Sequence, residues 1–289
     1  MAMRWLVSLL ACLTLTGCAE PLAGAGPGGS PSTSAERSVG GSPSAPAGLN
    51  AVRLIGLWSV DAPGVDDGVI LRLDPNELLV FGTCGVLFGQ WQANVRGDFL
   101  ASTDSSSGSC TPDVTTPPWL AAATGFGFDG AAAMLVDETD TPTARLQPGA
   151  VPSVPPNLDP SYADPSVVTD EDRRRFAADP SLPAGLTPAV TERLIGRWLP
   201  VGAPTSTAFV SFADNRSWTG SDGCNGIGGR WLIGSAGALL ATSGPQTLIG
   251  CLNIAIADWL FAAALAGFDG EIMVLVGADG NETGRLQAG

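Results

Sequence analysis

The sequence of 289 residues contains no histidine and no lysine, so all 14 of its basic residues are arginine. Without imidazole there is no histidine general base and no histidine-ligated zinc, and without lysine there is no Schiff-base or phosphate-loop amine. Charged residues make up only 15% of the chain, and the formal net charge is −14. Because phosphate binding needs a positive surface, nucleic acid is excluded as an expected partner.

The N-terminus has the pattern of an export signal. Arg4 is followed by a mostly apolar run at residues 5–15, which is long enough for a signal-peptide core and too short for a helix to span a bilayer. Residues 15–18 (Leu-Thr-Gly-Cys) resemble the lipobox of bacterial lipoproteins, and this resemblance implies a diacylglycerol, often with a further acyl chain, on Cys18. An ordinary signal peptide with a chance cysteine is the alternative. Residues 1–17 are therefore predicted to be a lipoprotein signal peptide.

Residues 18–50 are predicted to be a flexible tether. Of the residues from 19 to 50, 24 are Ala, Gly, Pro or Ser, and no apolar periodicity is visible. A flexible coil of that length spans roughly 30 Å, and two or more acyl chains give stable anchoring. We therefore expect the mature chain to be lipid-anchored on the extracytoplasmic face of the cell membrane.

The rest of the chain contains an internal duplication with an offset of 140 residues. The pattern Arg-Leu-Ile-Gly-x-Trp occurs at residues 53–58 and again at residues 193–198. The same offset relates further pairs: Cys84 and Cys224, Gly89 and Gly229, Trp91 and Trp231, Trp119 and Trp259, Asp129 and Asp269. We predict two copies of one domain, at residues 51–149 and 190–289, joined by a Pro-rich linker at residues 150–189. Trp58, Trp91, Trp198 and Trp231 are interpreted as core residues rather than as stacking platforms.

Each copy is predicted to consist of several antiparallel strands around one helix. In the second copy, residues 209–212 and 272–276 are apolar and are predicted strands. Residues 254–265 are apolar nearly all round and rich in alanine, and Gly267 follows where a left-handed cap would lie, which predicts a buried helix. In the first copy the matching helix is predicted to begin at Thr116.

The linker is predicted to carry one short helix of its own. Thr169 can cap an acidic first turn at residues 170–172, and three arginines follow at residues 173–175. We interpret the arginines as the charge complement of the helix C-terminus rather than as a binding patch.

Several motifs follow one another in the second copy: a Gly-Cys-Asn turn at residues 223–225, Gly-x-Trp at residues 229–231, a Thr-rich segment ending in Cys251, a helix and a closing hairpin. Their order resembles the META domain, or HslJ-like, family. The first copy departs from it, since Gly85 stands where asparagine is expected and residues 102–110 are rich in serine. The resemblance implies a mainly β fold with one helix per domain, in two tandem small β-barrel-like domains. It also implies a bacterial envelope protein tied to heat stress or drug tolerance, without established enzymatic activity.

Of the six cysteines, one leaves with the signal and Cys18 takes the lipid. Because an exported protein meets oxidising conditions, we predict the disulfides Cys84–Cys110 and Cys224–Cys251. A buried pair of thiols in each copy is the alternative. Two thiols without imidazole supply half a zinc shell, so no metal is expected.

The best polar cluster for binding contains Asp222, Asn225 and Arg230, because a Gly-rich turn can expose backbone donors beside a guanidinium. The alternative is a turn that only fixes the direction of a strand. Asp129 and Asp269 each precede a glycine and are interpreted as turn residues. In the first copy the positions of the cluster are occupied by Gly82, Gly85 and Gln90, so such a site belongs to the second copy alone.

Three functions remain compatible with the sequence. The first is a non-catalytic envelope lipoprotein with tandem META-like domains, acting in stress or drug tolerance. The second is an extracytoplasmic carrier of a small ligand, or an inhibitor of a periplasmic or cell-wall enzyme. A carboxylate hydrolase ranks last because no Ser-His, Cys-His or paired-carboxylate arrangement is visible, so we expect neither catalysis nor a cofactor. The expected partners are the membrane, through the lipid, and an envelope protein or small ligand.

Overall fold

The computed structural model describes residues 49–83, 85–108, 114–203, 206–247, 249–250 and 254–289. The predicted signal peptide, most of the predicted tether and Cys18 lie outside these residues. The chain from Pro46 to Gly289 forms one compact unit, and its described part is mainly β, with two sheets.

The first sheet has eight strands, and each strand is antiparallel to its neighbours. Its strands are β1 (Gly56–Asp61), β2 (Ile70–Leu73), β3 (Leu78–Gly82), β4 (Gly85–Ala93), β5 (Phe99–Ser107), β6 (Gly125–Asp129), β7 (Ala132–Val136) and β8 (Pro142–Pro148). They lie in the order β5-β4-β3-β2-β1-β8-β7-β6, so β1 is central and pairs with the last strand of the copy.

The second sheet repeats this topology and adds one short strand. Its strands are β9 (Thr187–Pro188), β10 (Gly196–Pro200), β11 (Phe209–Phe212), β12 (Ser217–Ser221), β13 (Gly226–Ile233), β14 (Leu239–Ala241), β15 (Ala263–Asp269), β16 (Ile272–Gly277) and β17 (Glu282–Ala288). They lie in the order β14-β13-β12-β11-β10-β17-β16-β15-β9. Strands β11 and β16 confirm the two strands predicted from apolar runs.

Each sheet curls back on itself, because a strand at one end is bridged to a strand at or next to the other end. A bridge joins Asp98 to Gly125 between the starts of β5 and β6, and a bridge joins Ala238 to Leu265 at the equivalent place in the second sheet. The curl encloses one apolar core per sheet, and the repeated tryptophans lie in these cores: Trp58, Trp91, Trp198 and Trp231. Their interpretation as core residues is confirmed.

The prediction of one helix per domain is wrong, since the described residues contain four α-helices. They are α1 (Pro118–Ala121), α2 (Asp170–Ala177), α3 (Thr191–Leu194) and α4 (Ile256–Ala262). Helix α3 is a single turn that ends with Arg193 and Leu194 of the repeated motif, and the indole of Trp198 donates to the carbonyl of Leu194 (2.7 Å). In the first copy the equivalent residues, Arg53 and Leu54, end a 3₁₀ turn, Ala51–Leu54, with the equivalent bond from Trp58 to Leu54 (2.7 Å).

Within the predicted helix at residues 254–265, only residues 256–262 are helical, and residues 263–265 already belong to a strand. Helix α4 ends at Ala262, and Ala263 takes an extended conformation at the start of β15. Gly267 is not a left-handed cap, because it lies inside β15 and pairs with Val274. An apolar run without a period suits a buried strand as well as a buried helix, and pairing with β16 decides between them.

The start of the helix in the first copy also differs from the prediction. Helix α1 begins at Pro118, with Pro117 before it and no capping bond from a side chain. The Thr116 hydroxyl is used elsewhere, since it accepts a hydrogen bond from the Thr103 backbone N–H in β5 (2.9 Å).

The linker helix α2 is confirmed, and so is its cap. Thr169 and Asp172 form a reciprocal capping box at its N-terminus. Phe176 from this helix is buried and stacks on Trp91 of the first sheet, with ring centroids 5.2 Å apart. Arg175, one of the three arginines, donates to the Asn76 side chain (2.8 Å) and so also fixes the helix to the first sheet.

Both ends of the linker cover sheet faces with apolar side chains. The segment before α2 packs Val154, Leu158 and Tyr162 on the first sheet. The segment after α2 packs Leu182 and Leu186 on the second. The linker therefore connects the copies as a packed part of the structure.

Candidate functional site

The turn between β12 and β13 holds two members of the predicted polar cluster. Asp222 and Asn225 are both buried. The Asp222 carboxylate accepts hydrogen bonds from the backbone N–H groups of Cys224 (2.8 Å) and Asn225 (2.6 Å) and from the Asn225 amide (3.0 Å). The same amide donates to the Ile249 carbonyl (3.0 Å) and accepts from the Ile249 N–H (2.6 Å). This geometry favours the interpretation of a turn that fixes two chain segments.

Arg230 does not join this turn, so the predicted three-residue cluster is not formed. It lies five residues further along β13, which is roughly 16 Å in an extended strand. Its guanidinium donates to the carbonyl oxygens of Ala101 (3.1 Å) and Ala121 (2.7 Å) in the first copy. Burial lowers the pKa of Arg230, and the positive charge of Arg216 adds to this effect. Arg230 therefore links the two copies.

Of the four cysteines in the two predicted pairs, only Cys224 lies among the described residues. Cys224 is disulfide-bonded. Cys84, Cys110 and Cys251 lie outside the described residues. The pairing of Cys84 with Cys110 and of Cys224 with Cys251 stays a prediction.

Asp129 and Asp269 end equivalent strands, and each precedes a glycine with positive φ in a tight hairpin. Asp129 forms an ion pair with Arg145 (2.9 Å), and Asp269 forms the equivalent pair with Arg285 (3.3 Å). Their interpretation as turn residues is confirmed.

The two copies meet around a pseudo-two-fold axis. The Ser102 hydroxyl donates to the Thr242 hydroxyl (2.8 Å), and these residues are repeat equivalents, 140 positions apart. Contact between a residue and its own counterpart is the mark of a two-fold interface. Beside this contact, Gln90 accepts from the Ser243 N–H (2.9 Å), while its counterpart Arg230 donates into the first copy. The copies therefore pack as the subunits of a homodimer do.

Arg96, in the first copy, forms hydrogen bonds to both the second copy and the linker. Its guanidinium donates to the Ser235 carbonyl of the second copy (2.9 Å). It also donates to the Asp179 carboxylate (2.9 and 3.0 Å) and to the Pro180 carbonyl (2.7 Å) in the linker. One side chain of the first copy thus binds both other segments.

Asp98 lies beside this contact, against Gly234 of the second copy, where a side chain at position 234 would overlap its carboxylate. Burial raises the pKa of Asp98. The hydrogen bond from Asn94 and the charge of Arg96 act in the opposite direction but are smaller. Asp98 is therefore a carboxylate that the fold holds in an unfavourable environment for its charge.

A cavity of about 380 Å³ lies between the two copies and the linker, on the Gln90 side of the axis. The first copy contributes one end of β4 and the loop after it, and the linker contributes the end of α2. The second copy contributes β14 and the junction of α4 with β15. The lining includes Gln90, Trp91, Gln92, Arg96, Arg175, Phe176, Asp179, Leu239, Leu240, Phe261 and the residues 262–265.

This cavity was not predicted from the sequence. Its lining comes from three segments that are far apart along the chain, and only the fold brings them together. The signal that could have suggested asymmetry is the difference between Gln90 and Arg230, which is visible when the copies are aligned. The inter-copy cavity is the candidate functional site.

No helix among the described residues is long and apolar enough to cross a membrane. No group of three or more Cys, Asp or Glu side chains within the described ranges could hold a metal ion.

No protein-family model and no curated protein matches the sequence. One solved structure is similar to part of the chain, the crystal structure of MucB in complex with MucA(peri), at 13% identity over 67% of this chain and 88% of that chain. Its TM-score is 0.14, which carries no argument about fold or function.

Proposed function

We propose that this chain is a non-catalytic lipoprotein of the bacterial envelope, built from two META-type, β-barrel-like domains, that binds a small ligand between them. The export pattern and the lipobox-like residues 15–18 support the anchor at Cys18. The family resemblance of the second copy supports a role in envelope stress or drug tolerance.

The observation that carries the binding role is the inter-copy cavity of about 380 Å³. Its volume lies within the range of small-molecule pockets, and such pockets commonly form where two domains meet. The buried Asp222 carboxylate accepts three bonds from its own turn, which favours a structural role over acid–base catalysis. An inhibitor of an envelope enzyme has no comparable geometric support, so the carrier is the preferred form of the proposal.

Two measurements test the proposal separately. Metabolic labelling with radioactive palmitate should mark the wild-type chain and leave Cys18→Ser unlabelled; label retained by Cys18→Ser contradicts the anchor. Native mass spectrometry of the protein released gently from its own envelope should show the acylated mature chain with one additional bound mass. A spectrum with no adduct from any growth condition contradicts the carrier role.

A further inference from the structure

The two sides of the pseudo-two-fold interface differ at one pair of equivalent residues. On one side, the Arg230 guanidinium crosses the interface and donates to the Ala121 carbonyl (2.7 Å). On the other side, the equivalent residue is Gln90, whose shorter side chain accepts from Ser243 N–H. The counterpart of Ala121 is Phe261, which lines the cavity. The cavity thus occupies the space that a second guanidinium would fill in a symmetric interface.

Each charged side chain in the described lining of the cavity already has a partner within the protein. Arg96 is paired with Asp179 (2.9 Å). Arg175 donates to Asn76 (2.8 Å) and lies 3.6 Å from the carboxylate of Asp172. A charged ligand would lose hydration without gaining an unmatched partner here, which disfavours ions as occupants.

The wall opposite Gln90 is apolar, whereas the first-copy side of the cavity carries amide side chains. Leu239, Leu240 and residues 262–265 form one wall, and Phe261 lies beside them, half-buried. Within the described part of the chain, the Gln92 side chain has no hydrogen-bond partner, so it can both donate to and accept from a ligand. An apolar wall that faces an amide with free hydrogen-bonding capacity suits a neutral molecule with an apolar body and a hydrogen-bonding group.

We propose that the Gln90 side of the inter-copy cavity binds a neutral small molecule, with its apolar body against the α4–β15 wall and a hydrogen-bonding group at Gln92. This inference rests on the proposed binding role and names the site and ligand class for it. The site exists because the two copies have diverged at residues 90 and 230.

The experiment uses the whole mature chain carrying Cys18→Ser, which is unacylated and needs no detergent. The probe is Nile red, an uncharged apolar dye with a carbonyl group, titrated by fluorescence. We expect saturable binding of one dye per chain, weakened more than about tenfold by Gln90→Arg, which places a guanidinium in the cavity. Ala264→Leu fills the cavity from the opposite wall and should act in the same direction.

Gln147→Arg is the matched control, because it makes the same substitution at an exposed position of β8 and should leave the titration unchanged. Thermal melting of each variant within about 4 °C of the parent chain shows that the fold is intact. If Nile red does not saturate, or binds both cavity-filling variants as tightly as the parent, the site is wrong. If the anionic dye anilinonaphthalene sulfonate competes equally for the site, the neutral ligand class is wrong.

These outcomes are distinct from failure of the proposed function. An adduct on the envelope-released protein that persists in Gln90→Arg supports a binding role and overturns this site. If the palmitate label is retained by Cys18→Ser, the proposed anchor is wrong, and the cavity measurement is unaffected.

Discussion

At the scale of single residues, the Gly-x-Trp pattern of both copies has a steric cause. A Cβ atom at Gly89 would overlap the backbone carbonyl oxygen of Ser102, and one at Gly229 would overlap that of Thr242. These carbonyls belong to the residues whose hydroxyls meet on the pseudo-two-fold axis. The glycines therefore allow the close strand approach on which the interface between the copies depends.

We expect Gly229→Ala to destabilise the protein by about 2 to 3 kcal/mol, because backbone on the neighbouring strand cannot yield as a flexible side chain would. Gly226→Ala, in the same strand, is the control: no atom lies within 4 Å of the added Cβ, so it should change stability by less than about 1 kcal/mol. Urea unfolding followed by tryptophan fluorescence measures both. Equal effects of the two variants would contradict the steric explanation.

Asp98 gives a prediction about pH. Its folded-state pKa is raised by burial, so its contribution to stability is fully present below the unfolded pKa of about 3.9 and is lost as pH rises through the folded pKa. Asp98→Asn removes the ionisation and keeps an oxygen that can accept from Asn94. We expect Asp98→Asn to gain stability relative to wild type at pH 7 and to lose that advantage near pH 4.

Urea unfolding between pH 4 and pH 8 checks this expectation. The exposed Asp164, changed to asparagine, is the control and should give a difference that does not vary in this way. A constant difference between Asp98→Asn and wild type across the range would show that the charge of Asp98 is not the cause.

At the scale of elements, the predictions that succeeded rest on local signals. The Thr169 cap lies directly before α2, and the apolar runs of β11 and β16 are bounded by turns. The prediction of a helix over residues 254–265 is partly wrong, because an apolar run without periodicity is compatible with both helix and strand. Pairing with β16 decides between them. The cavity could not be predicted for a related reason: it is lined by segments that are far apart along the chain and that only the fold brings together.

Phe176 tests whether the linker helix is part of the folded unit. Its ring is 6% exposed and stacks on Trp91, so Phe176→Ala should cost about 3 to 4 kcal/mol of unfolding free energy. Arg173→Ala changes an exposed residue of the same helix whose ion pair with Asp170 is at the surface, and should cost less than about 0.5 kcal/mol. Chemical unfolding compares the two. A linker that only tethers the copies would make both variants neutral.

At the scale of the whole molecule, the two copies and the linker share one set of contacts. Ser102 and Thr242 meet on the axis, Arg230 reaches two carbonyls of the first copy, and Arg96 binds the second copy and the linker together. Arg216 also forms an ion pair with Glu138 across the interface. Contacts of this kind couple the stability of one sheet to that of the other.

We therefore expect the unit from Pro46 to Gly289 to unfold in a single calorimetric transition, although it contains two sheets with separate cores. Arg230→Gln removes charge-assisted bonds to Ala101 and Ala121 and should cost about 2 kcal/mol, which lowers that transition by about 4 to 8 °C. Arg174→Gln, at an exposed position of α2, is the matched control and should leave it in place. If wild type shows two separate transitions, or if Arg230→Gln splits one into two, then the interface is too weak to couple the copies, and the cavity between them would open and close independently of folding. If one transition moves as a whole, the walls of the cavity are as permanent as the fold, which a binding site formed between two copies requires.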